Sequence, residues 1–99
     1  MNDAQQSRLT ATRAQLDAID ERLLAVLAER AKVVDGLWAW KRSEGLPLTD
    51  PRREAEHVEH LVSRAKALGL GDEATRAVLA TIIGHALISS NLVTNPLRT

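Results

Sequence analysis

Arg13, Asp20, Arg30 and Lys41 fall on the same helical stripe as a set of leucines and valines. One line runs Leu16, Leu23, Arg30, Leu37 at seven-residue intervals, and the neighbouring line runs Arg13, Asp20, Leu27, Val34, Lys41. Arg13 and Lys41 lie near the ends of the run and can reach water along their stems, and Asp20 reads as the partner of an arginine. Arg30 sits mid-run between Leu27 and Val33, where snorkelling is harder. A buried guanidinium needs an anion to offset its desolvation, and a ligand carboxylate fits that role. Further along, Glu54 precedes Val58 by four and Leu61 by seven, so it joins an inward stripe, with Asp50 and Arg53 one turn away. Asp50 reads equally as a plain helix cap. Ser90 continues the line Leu79, Ile83, Ala86. Cations, two carboxylates and a hydroxyl without any nucleophile-base pair suit chemistry done by charge placement and conformational restraint.

Three helices have to bring these groups together. From about Ser7 to Arg42 there is no proline, one glycine, and an apolar residue every three or four positions, which predicts a helix stopped by Gly45 and Pro47. Asp50-Pro51 predicts the start of a second, with Val58, Leu61, Val62, Ala65 and Leu68 on its face and Gly69 closing it. Gly71-Asp72 reads as the loop and cap of a third, carrying Val78, Leu79, Ile82, Ile83, Ala86 and Leu87 and ended by Asn95-Pro96. No strand signal or internal repeat is present. A first helix of about 35 residues extends about 50 Å, whereas a compact 100-residue domain has a radius of gyration near ~13 Å. Its stripe outruns the two shorter helices, and a second copy offers the matching surface. The expected fold is therefore all-α, three helices in an intertwined homodimeric bundle, with residues 1–99 as one domain.

Composition excludes several classes. The 99 residues are 44% hydrophobic and 26% charged, which is ordinary for a globular chain and wrong for a disordered one. Lys plus Arg equals Asp plus Glu at 13 each, so no basic excess points to nucleic acid. With no cysteine there are no disulfides, thiolate nucleophiles or thiolate metal sites. The stretch Met1 to Leu9 lacks a signal-peptide core, and nothing nears the ~20 apolar residues of a membrane span. The expected location is the cytoplasm, and the expected partners are a small molecule and a second copy.

The segment from Leu16 to Arg30, followed by Lys41 and then Asp50-Pro51-Arg52-Arg53-Glu54, resembles the helical class of chorismate mutases, over roughly Arg13 to Ser90 without a gap. The spacing of Arg30, Lys41, Asp50 and Arg53-Glu54 is the specific part of that resemblance. It implies rearrangement of chorismate to prephenate within one dianionic molecule, in aromatic amino acid synthesis and with no cofactor. Arg13 would reach across the dimer to one substrate carboxylate and Arg30 would hold the other from its own subunit. Lys41 would donate to the ether oxygen, while Glu54 and the Asp50 region would hold the ring hydroxyl with Arg53 nearby. One position departs from the family: where a glutamine or glutamate usually makes the second contact to the ether oxygen, this chain has Ser90. A preceding serine that often touches a carboxylate is replaced by Ala86.

Those departures keep other readings open. One is a relative acting on an altered substrate, an aminodeoxychorismate mutase or an isochorismate pyruvate lyase. Another is a weakly active regulatory dimer that binds a shikimate-pathway enzyme. Asn91 or Trp38 could reorganise the pocket around Ser90. Glu54-Ala-Glu-His57 has the Glu-x-x-His spacing of carboxylate-bridged metal bundles, but no second copy of it exists, so His57, His60 and His85 read as solvated helix residues. Trp38 and Trp40 read as packing groups, and Trp38 beside Lys41 could narrow the pocket. The segment Ser43 to Thr49 reads either as a lid over a ligand or as a plain turn.

Overall fold

A computed structural model of the chain describes residues 1–84. They form three helices, α1 (Asp3–Ser43), α2 (Pro51–Ala67) and α3 (Asp72–Gly84). Ala86, Leu87, Ser90, Asn91, His85 and the expected Asn95-Pro96 terminator lie outside the described residues.

α1 begins four residues before the expected Ser7. Asn2 caps it: the Asn2 side chain accepts from the Gln5 N–H at 2.8 Å and the Gln5 side chain accepts from the Asn2 N–H at 2.9 Å. This reciprocal box satisfies two of the first turn's orphan donors, so the helix extends past the point where the apolar repeat fades. At its other end Gly45 takes φ +67°, which lets the Leu46 N–H reach the Lys41 carbonyl at 2.8 Å and the Gly45 N–H reach Arg42. The end of α2 repeats that motif, with Gly69 at φ +85° and the Leu70 N–H on the Ala65 carbonyl at 3.1 Å. Both glycines were the expected stops. Asp50 caps α2 by accepting from the Arg53 N–H at 3.2 Å, with Pro51 at the first helical position. α3 starts at Asp72 itself, because the Gly71 carbonyl takes its first helical bond, from the Thr75 N–H at 3.0 Å.

α2 and α3 fold back on each other as a hairpin. Val62 and Ala65 of α2 are buried there, and Leu61, Thr75, Leu79 and Ile82 are half-buried. Across its surface Arg76 makes a two-pronged contact with Glu59, both arms 2.8 Å long. The hydrogen bond from Arg76 holds the Glu59 carboxyl below its usual range and in turn raises the Arg76 guanidinium. Any stabilisation from this exposed pair is therefore present at neutral pH and fades as pH falls through the lowered Glu59 value, below the ordinary 4.5.

α1 has no such partner along most of its length. Its half-buried or buried positions after Leu9 are Leu27, Arg30, Ala31, Val34, Asp35, Trp38 and Lys41, one stripe confined to the last third, while every residue from Thr10 to Val26 is exposed. The described molecule measures 63 × 30 × 20 Å with a radius of gyration of 18.3 Å, well above the ~13 Å of a compact domain of this size. Leu16, Leu23 and Leu24 are 53, 54 and 59% exposed. Among the described residues Asp20 has no arginine partner, because nothing packs on that stretch of α1 to bring one near. No helix among them is long and apolar enough to cross a membrane.

Because alanine at φ near +70 to +85° costs about 1–2 kcal/mol, Gly45→Ala and Gly69→Ala should each lower unfolding stability by that amount in urea titrations. An unchanged midpoint would show that these helix ends relax without strain.

Candidate active site

The last third of α1 and the first two turns of α2 enclose a cleft of about 350 Å³. α1 lines it with Arg30, Val34, Leu37, Trp38 and Lys41. The connection and α2 add Leu48, Asp50, Arg53, Glu54 and His57, and α3 closes it with Ile83. The spacing on each helix explains the convergence. Arg30, Val34, Leu37, Trp38 and Lys41 recur at three- and four-residue steps on one face of α1, and Asp50, Arg53 or Glu54, and His57 do the same on α2.

Five of the seven expected site residues, Arg30, Lys41, Asp50, Arg53 and Glu54, therefore meet in one place. Arg13 does not join them. It is exposed on α1, 17 residues before Arg30, about 25 Å away along the helix axis. Ser90 lies outside the described residues. Asp50 serves both readings offered for it, since it caps α2 and also lines the cleft.

Three cations face two carboxylates here, and they are not consumed by one another. Among the described residues the ion pairs within 4 Å are Arg52 with Glu56 and Arg76 with Glu59, none of which lines the cleft. Arg30, Lys41 and Arg53 thus keep their donors available, and the cleft carries a net positive charge. Lys41 is half-buried, and its Nζ leans 3.5 Å from the Leu48 carbonyl. The Gly45 turn sets that contact by folding the connection back over the lysine. Such a distance marks a weak bond that a stronger acceptor displaces readily. The connection thus borders the cleft, though it is ordered here as a turn.

His57 corrects the expectation of a solvated residue. It is half-buried and lines the cleft, one turn past Arg53 and Glu54. Burial holds its imidazole below the ordinary 6.5, and the positive fields of Arg53, Arg30 and His60 push the same way. Its Glu-x-x-His spacing from Glu54 was visible in the sequence; the same spacing that suggests a metal motif also places both side chains on one face. Trp38 lines the cleft beside Lys41 as expected, whereas Trp40 is 53% exposed. Leu48 carries no polar signal and nothing in the sequence marked it as a cleft residue, whereas Ile83 was marked only by sharing the helix line of Ser90.

The described residues form three helices and no strand, and cations gathered in a partly apolar cleft suit a small anionic ligand held by charge. A family model described as chorismate mutase type II matches residues 12–88, and the chain belongs to that family of isomerases. It is also 34% identical over 85 residues to the T-protein of Enterobacter agglomerans, a match covering 86% of this chain. The chain spans 23% of that relative's length. No solved structure matches it significantly. Ser90 falls two positions past the end of the family match.

Replacing Arg53 or Arg30 by alanine removes a positive field from His57, so its titration midpoint should move back up toward 6.5. Following the His57 ring proton shifts against pH by NMR measures this, and a midpoint indifferent to both substitutions would exclude those arginines as neighbours.

Proposed function

We propose that this protein converts chorismate to prephenate in a site shared between two copies. The observation that carries the reading is the cleft itself: Arg30, Lys41 and Arg53 gathered with Glu54, uncommitted to ion pairs among the described residues, in a chain of the type II family. The reaction breaks one carbon–oxygen bond and forms one carbon–carbon bond within a single molecule. It needs no proton or group transferred to the protein. Catalysis then consists of holding the substrate in its compact reactive conformer and stabilising the negative charge that grows on the ether oxygen.

In this reading Arg30 grips one carboxylate with its two-pronged guanidinium, and Arg13 from a second copy grips the other. Lys41 donates to the ether oxygen, exchanging its weak contact with Leu48 for a developing anion. Glu54 and the Asp50 region accept from the ring hydroxyl, with Arg53 beside them. Leu37, Trp38, Leu48 and Ile83 keep water from the reacting bonds. The setting is the cytoplasm and the route aromatic amino acid synthesis.

A second copy follows from the uncovered length of α1. Leu16, Ile19, Leu23, Leu24 and Val26 are 41–59% exposed, and covering what remains on two copies contributes on the order of 10 kcal/mol. That matches the scale of the association cost, ~4–15 kcal/mol. The apolar groove on the α2–α3 hairpin, lined by Leu61, Ala65, Leu68, Val78 and Leu79 among others, adds further surface for the partner's α1. The alternative of an altered substrate rests on Ser90 and Ala86, the positions where the chain departs from the family.

Purified protein should consume chorismate and yield prephenate faster than it does the amino or iso analogues; absence of turnover on chorismate would overturn the reading. Lys41→Ala should lower kcat by about 100- to 1,000-fold. Sedimentation should give a dimer mass. Mixing inactive Arg13→Ala and Arg30→Ala variants should restore roughly a quarter of wild-type activity, because half of the reassorted dimers carry one intact site. No recovery despite subunit exchange would place Arg13 outside the site.

A further inference from the structure

His57 has no role in the mechanism above, yet it stands in the cleft. It lies on the face of α2 that carries Arg53 and Glu54, half-buried, with no hydrogen-bond partner among the described residues. Its position along the cleft follows from the run of the two helices. The connection folds back so that Leu48 touches Lys41, which places Asp50 at the Lys41 end. Seven residues after Asp50, about 10 Å along the axis of α2, His57 lines the same cleft as Arg30 and feels its charge. The electrostatics agree, since His57 feels Arg30 and Arg53 rather than Lys41.

We propose that the His57 imidazole is a substrate contact at the Arg30 end of the cleft, hydrogen bonding the carboxylate that Arg30 holds and taking up one proton from solvent as the dianion binds. The inference rests on a dianionic substrate being the ligand of this cleft. Sharing the cleft with His57 are Arg30 and, at the far end, Lys41 from α1, the cap residue Asp50, Arg53 and Glu54 of α2, and the apolar Ile83 from α3, with His60 of α2 also acting on its charge. In the empty cleft burial, and after it the nearby cations Arg53 and Arg30, hold the ring's midpoint below the ordinary 6.5. A bound carboxylate cancels part of that positive field and accepts a hydrogen bond from the ring, so the protonated form gains stability on binding. The midpoint of His57 is then higher in the complex than in the free protein. Affinity is greatest below the free-state midpoint and weakens as pH rises through the bound-state one, by up to about tenfold per pH unit between them. Such a residue tunes selection for ligands with a full carboxylate at this end, and makes substrate capture respond to pH.

Calorimetry with a bicyclic dicarboxylate mimic of the transition state, near pH 6 in two buffers of different ionisation heat, should show net proton uptake by wild type. His57→Gln, which keeps a hydrogen-bonding side chain, should still bind without that uptake. In the wild type the His57 ring resonances should titrate at higher pH with the mimic than without it, a measurement that stands even if the variant folds poorly. Binding with no proton uptake and an unmoved His57 titration would overturn the role of His57 and leave the proposed function intact. Uptake that persists in His57→Gln would assign the proton elsewhere and overturn it too. A mimic that fails to bind wild type would remove the proposed function along with it.

Discussion

The length of α1 is the constraint on which the rest depends. A helix of 41 residues stands beside helices of 17 and 13, and two short helices can cover only its last third. That third supplies Arg30, Val34, Trp38 and Lys41 to a cleft whose other walls are the connection, the start of α2 and Ile83 of α3. The remaining two thirds stay bare, with leucines and the arginines Arg8, Arg13 and Arg22 facing water. The described part of a single chain buries only Ala31, Val62 and Ala65. So small a core offers little to offset the entropy of ordering the chain. An apolar stripe in that state calls for a partner surface, and the same geometry leaves Arg13 about 25 Å from the cleft of its own chain.

Charge balance decides what the cleft is for. Internal salt bridges are made on the outside, between Arg52 and Glu56 and between Arg76 and Glu59, where water screens them and they contribute little. Inside, Arg30, Lys41 and Arg53 have no carboxylate partner within 4 Å among the described residues. Grouping cations this way is unfavourable in the empty state, and the cost is offset when an anion arrives. His57 registers the same surroundings, because burial first and the neighbouring cations second make its ring resist protonation. The apolar walls from α1, Leu48 and Ile83 lower the local dielectric and strengthen each contact to a bound ligand.

Much of this was legible in the sequence, for local reasons. Helix stops were written by Gly45 and Gly69, whose positive φ only glycine adopts without strain, and the start of α2 by Asp50-Pro51. The spacing of Arg30 to Lys41 and of Asp50 to Glu54 fixed which side chains share a helix face, since a helical period converts spacing into direction. Family membership followed from the same positions. The early start of α1 was less legible, because the Asn2–Gln5 box acts through two side-chain contacts rather than through apolar periodicity.

Only the tertiary structure decided how the faces meet. That Leu48 and Ile83 wall the cleft depends on where the connection and α3 pack, which no period along one helix encodes. His57 moved from solvent to cleft for the same reason: its spacing was plain, but its surroundings come from α1, 27 residues earlier at Arg30. Likewise Asp20 lost its expected partner, because the stretch of α1 that carries it has no neighbour within the described chain. Residue type and period set each helix and its charged face; which charges share an environment depended on contacts between residues far apart in the chain.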